Sequence, residues 1–123
     1  MEKFSLDTKK AIICFQYVER IKSELIIAVK LLEKLDELEE DELAGAEKIM
    51  LSFLDALVGE VAIAHGVLGL RSFEEARIKI LDSVVQTRSQ DYPRAMNNIT
   101  KAISSVTTSG SGAMQMLKDK NLL

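Results

Sequence analysis

The sequence predicts an all-α fold, an antiparallel helical bundle of four long helices that pairs with a second copy of itself. Three observations carry this reading. The first 44 residues contain no glycine and no proline. Residues 11–35 repeat on a strict heptad, with apolar side chains at alternating spacings of 3 and 4. The whole chain holds a single proline and no tryptophan, with 47% hydrophobic and 28% charged residues, a composition that leans toward long helices. A length of 123 residues is one domain's worth, so residues 1–123 are read as a single helical domain.

The first helix is expected over about residues 7–40, with Ser5 or Asp7 as its N-cap. Ala11, Val18, Leu25 and Leu32 occupy one seam position, and Cys14, Ile21, Ala28 and Leu35 the other. Phe15, Tyr17, Val29, Leu31 and Leu38 flank the seam where a two-stranded coiled coil would carry charges. A stripe widened in this way belongs to a bundle helix that touches more than one neighbour.

A turn is expected at Glu40 to Gly45, and a second helix over about residues 43–68. That helix is apolar almost all round, apart from a narrow strip through Lys48, Ser52, Asp55 and Gly59. Such a helix is expected to be the central, buried one. Gly59 and Gly66 each cost up to about 1 kcal/mol against alanine, which close backbone contact would offset.

Gly69 reads as a C-cap, and Ser72-Phe73-Glu74-Glu75 as a capping box that opens a third helix over about residues 73–90. Asp91 and Pro93 then start a fourth, over about residues 93–108. Ser109-Gly110-Ser111-Gly112 follows a helix rather than a strand and precedes no lysine, so it is no phosphate-binding loop. Ile99, Ile103, Val106, Gly110, Ala113 and Leu117 keep heptad phase through this patch. Residues 113–119 are therefore either a short fifth helix or the end of the fourth.

Length points to self-association. A first helix of about 34 residues would be about 50 Å long. A compact chain of this size has a radius of gyration near 14 Å and a diameter of about 35 Å. Part of the stripe from Ala11 to Leu35 would then lie bare on a monomer, and a dimer with paired or intertwined helices would cover it.

The chain shows little equipment for chemistry. Glu37 and Glu40, and Glu39 and Glu42, have the E-x-x-E spacing of helical magnesium sites. No E-x-x-D follows them, and a hard cation needs oxygens converging from separate segments. The single histidine, His65, has Ala62 three residues before it, so the E-x-x-H of a di-iron bundle is missing. No basic residue lies between Lys48 and His65, which removes the pairing used by helical ribonucleases. Cys14 falls on the seam and reads as a small packing residue. No metal and no cofactor are expected.

Charge is uneven. Residues 1–61 carry 8 basic and 14 acidic side chains, residues 62–123 carry 8 and 5, and seven of the ten residues from Glu33 to Glu42 are acidic. That corner repels nucleic acid and suits a basic protein partner. The longest uncharged run, Val61 to Leu70, is about half a bilayer span. With a lone cysteine and no signal peptide visible, a cytoplasmic, soluble protein is expected. The leading function is a non-enzymatic assembly or adaptor protein acting through helix faces. The alternative is a small helical enzyme or ligand-binding module with a polar site between helices at Asp55, Glu60 and His65.

Overall fold

A computed structural model describes residues 7–123, which fold as four α-helices with no strand among them. They are α1 (Thr8–Glu37), α2 (Glu40–Leu68), α3 (Arg71–Arg88) and α4 (Tyr92–Asp119). α1 packs on α2 and α4, and α3 packs on the same two helices, so each helix has two neighbours around a shared core.

Asp7 caps α1, its carboxylate accepting from the Lys10 backbone N–H at 2.8 Å. Ser5, the other expected cap, lies outside the described residues. The helix stops at Glu37, three residues early, because Leu38 adopts an extended backbone and folds its half-buried side chain back on the core. The turn is only Leu38 and Glu39, so the acidic residues Glu40, Asp41 and Glu42 form the first turn of α2, where the helix dipole favours them. Gly45 lies inside α2 rather than in the turn.

Gly69 ends α2 in the left-handed conformation (φ 68°), the backbone state that glycine adopts without steric cost. α3 then begins at Arg71, two residues before the expected start. The capping box does not form. Ser72 is buried, and its hydroxyl shares a hydrogen bond with that of Ser109 on α4. Asp91 caps α4 by accepting from the Arg94 N–H, with Pro93 in the first turn.

α4 runs unbroken through residues 107–112, so there is no short fifth helix. Thr100, Ser104, Ser105, Thr107 and Thr108 each donate a side-chain hydroxyl to the carbonyl four residues back, which satisfies the hydroxyls within the helix without strengthening it. Packing holds the segment in place. Gly110 is buried against Val18 of α1, so tightly that a Cβ there would lie 2.6 Å from Val18 Cγ1. The small-residue patch is a place of close helix contact.

This continuity removes the reason for expecting α1 to overhang. At 1.5 Å per residue, α1 and α4 are about 45 and 42 Å long. The two match, and Ala11, Cys14, Val18, Ile21, Leu25, Ala28, Leu32 and Leu35 are all buried within the one chain, none more than 4% exposed. The seam needs no second chain.

α2 corrects the opposite expectation. It is not the central helix: Met50, Leu54, Leu57, Val61, Ala64 and Leu68 are buried, and the rest of its circumference is partly or fully exposed. A ring of four helices has no centre for any helix to occupy. Gly59 and Gly66 have no heavy atom within 4 Å of where a Cβ would stand, so no close contact inside the chain offsets them.

Candidate interaction surface

The three polar candidates of α2 point in different directions. Asp55 is exposed on the outer face. Glu60 turns toward α1, where the Arg20 guanidinium pairs with it. His65 turns toward α3 and places Nδ1 3.9 Å from Glu74 Oε2. Glu74 is itself held by Arg77 at 2.6 and 2.8 Å, a pair that keeps its carboxyl below the usual range. No shared pocket forms among the three.

Between α1 and α2 the structure instead assembles a cluster that includes only one of them. Arg20 lies over the Tyr17 ring at 5.6 Å, pairs with Glu60 and stands 3.8 Å from Glu24. Partial burial pushes the Glu24 carboxyl up to about 7, reinforced by its hydrogen bond with the neighbouring Glu60 carboxylate. The Glu24–Glu60 pair can exchange a proton near neutrality. Among the described residues, no three His, Cys, Asp or Glu side chains are grouped to hold a metal ion.

A second, part-buried tie joins α2 to α4. Tyr92 donates its hydroxyl to Glu47 at 3.0 Å, and burial pushes its pKa up to about 12. Beside it an open groove of about 480 Å³ runs past Glu40, Leu43, Glu47, Lys48 and Gln90. It lies between the first half of α2 and the α3–α4 turn.

The most distinctive surface is the outer face of α2. Gly45, Ile49, Ser52, Ala56, Gly59, Ile63 and Gly66 recur at alternating spacings of 4 and 3, and all seven are exposed. Ile49 is 75% exposed, Ile63 62% and Val67 48%. Ile49 and Ile63 belong to that stripe and Val67 borders it, so their exposed surface lies on one face of the helix. At one end the stripe opens into an apolar groove of about 240 Å³, lined by Leu31, Leu38, Ala46, Ile49, Met50 and Phe53. The expected polar strip of Lys48, Ser52, Asp55 and Gly59 does face solvent. The heptad that overlaps it was spelled in the same residues. Its signal was the spacing, which an apolar reading of the whole helix hides.

α2 is also the one described helix long and apolar enough, by length and composition, to cross a membrane, and 28% of its most apolar window is buried inside the fold. Arg71, Arg77 and Arg94 each pair with an acid on or beside their own helix: Glu75, Glu74 and Asp91. No family model matches the chain, and no curated protein or solved structure is similar to it.

Proposed function

We propose that this chain is a non-enzymatic helical assembly protein of the cytoplasm, an antiparallel bundle that works through self-association of helix faces and binding of protein partners. One observation carries the reading: the outer face of α2 presents Ile49, Ile63 and Val67 in phase along a helix, left exposed by the described residues. Exposed apolar surface arranged in this way is the ordinary mark of an association site. The acidic turn from Glu39 to Glu42 is the complementary surface for a basic protein segment. The lone cysteine, Cys14, is buried with its thiol donating to the Ser109 carbonyl at 3.8 Å, in keeping with a reducing compartment. Asp55, Glu60 and His65 diverge, which lends nothing to an interhelical enzyme site.

Sedimentation velocity over about 1 to 200 µM, a range that brackets micromolar affinity, tests the proposal. The wild-type chain shifts toward a larger species with concentration. The double variant Ile49→Glu, Ile63→Glu stays monomeric and keeps the wild-type helical circular dichroism, since both residues face solvent. A wild-type monomer throughout that range would overturn it.

A further inference from the structure

Resting on that self-association, we infer that the partner of the α2 outer face is the α2 of a second copy, laid antiparallel across a two-fold axis at Ala56. The stripe reads nearly the same in both directions: Gly45, Ile49, Ser52, then Ala56, then Gly59, Ile63, Gly66. Running one copy against the other with Ala56 opposite Ala56 sets Ile49 against Ile63, Ser52 against Gly59 and Gly45 against Gly66. A two-fold interface needs this self-complementarity, because each residue must meet its symmetry counterpart's partner. The small rungs at the middle let the axes approach toward the lower end of the usual ~8–10 Å separation. The isoleucine rungs on either side then fill the space between the helices.

Charge selects the direction. Parallel pairing would set the acidic first turns, Glu40 to Glu42, side by side. Antiparallel pairing separates them and brings each toward the start of α3 on the other copy, where Arg71, paired with Glu75 at 3.2 Å, still exposes 74% of its side chain. The opposed helix dipoles also favour this arrangement.

The area suits a modest dimer. A 29-residue helix is about 43 Å long and about 10 Å wide, a flat footprint on the order of 430 Å² per copy. Two such footprints total about 860 Å², below the ~1,200 Å² lower edge of stable specific interfaces, as for a weak, concentration-dependent pair. A lipid surface fits less well. Interfacial helices pair bulky aromatics and leucines with a lysine- and arginine-rich polar face. Here the stripe is glycine, alanine and serine between isoleucines, bordered by Asp41, Lys48 and Asp55.

Cysteine cross-linking on the full chain reads the register, with copper phenanthroline as oxidant and Cys14, fully buried, as an internal negative control. Ala56→Cys alone gives a covalent dimer. Ile49→Cys alone and Ile63→Cys alone do not, because antiparallel copies hold each thiol about 21 Å from its twin, and a disulfide needs Cα atoms within about 7 Å. An equimolar mixture of those two variants does cross-link. Arg71→Glu weakens association about fivefold in sedimentation, and adding Asp41→Lys restores it. Self-cross-linking of Ile49→Cys and of Ile63→Cys would overturn the inference in favour of parallel pairing. A wild-type dimer whose variants all fail to cross-link would overturn it and leave the assembly reading standing, whereas a wild-type monomer would overturn both. Cosedimentation of the monomer with phosphatidylcholine–phosphatidylglycerol vesicles, lost in Ile49→Glu, would overturn it in favour of a membrane.

Discussion

On α1, the stripe from Ala11 to Leu35 is buried along its whole length by the chain's own helices. On α2, the stripe from Gly45 to Gly66 has the same spacing and is bare along its whole length. Both are helix faces repeating at 3 and 4, and both contain small residues that permit close approach. What separates them is what stands opposite. α1 faces α4, a helix of matching length whose Gly110 admits Val18, whereas no described residue covers the outer side of α2. A heptad therefore states that a face can be covered. It does not state which chain covers it.

The widest separation between the two stripes should appear on truncation. Leu25→Ala removes a fully buried side chain from the α1 seam and should cost about 2–5 kcal/mol. Ile49→Ala removes a side chain that is 75% exposed and should change stability by less than about 0.5 kcal/mol. Urea unfolding of both variants in dilute solution checks this. Equal losses would mean that the α2 stripe is covered even in the monomer.

The glycine at the α1–α4 contact gives the next largest effect. Gly110→Ala forces a Cβ to within 2.6 Å of Val18 Cγ1, and overpacking of this kind costs about 1–3 kcal/mol. Val18→Ala removes the obstructing atom, so the double variant should lose less than the two single changes added together. A double-mutant cycle on urea midpoints measures the coupling, and strict additivity would break the assignment of Gly110 to close contact.

Much of the fold is legible in the residue types. Gly69 and Asp91 mark helix boundaries because each does a local job, a left-handed C-cap and an N-cap, that depends on no distant residue. The turn between α1 and α2 is not legible in this way. Leu38 and Glu39 carry no turn chemistry, and the chain bends there because Leu38 packs back on the core. The continuity of α4 escapes for a related reason. The hydroxyls at residues 100–108 could be read as helix-compatible, but the contact that makes Gly110 useful is with Val18, far away in sequence. At the candidate surface, spacing identifies the α2 stripe, and only the packing of Met50, Leu54 and Leu57 on the opposite side shows that it faces out. Glu60 was legible as a polar interruption, but its partners Arg20 and Glu24 lie on another helix.

The border between the two stripes should respond to pH. Glu24 is raised from 4.5 to about 7 by burial and by its hydrogen bond with Glu60, so between those values the folded state holds more protons than the unfolded one. Stability then falls as pH rises through that window, and the penalty is complete above about 7. Glu24→Gln keeps the shape and removes the charge. Since the site is partly open to solvent, the variant should gain only about 1 kcal/mol at pH 8 and nothing at pH 4. Thermal unfolding at the two pH values checks the sign, and a gap that does not change with pH would exclude Glu24 as its source.

The smallest effect sharpens the comparison most, because it should have opposite signs in two measurements. Gly59 sits in the middle of α2 with no heavy atom within 4 Å of an added Cβ. In dilute solution Gly59→Ala should therefore stabilise the chain through helix propensity, by up to about 1 kcal/mol, where the same change at Gly110 destabilises it. At high concentration the added methyl enters the closest part of the paired α2 faces, and association should weaken. A denaturation midpoint raised in the monomer together with a weakened dimer would show a glycine retained for a contact that the single chain does not make. A raised midpoint with unchanged association would place the second copy on another face, and a lowered midpoint at low concentration would mean that α2 is covered from within the chain after all.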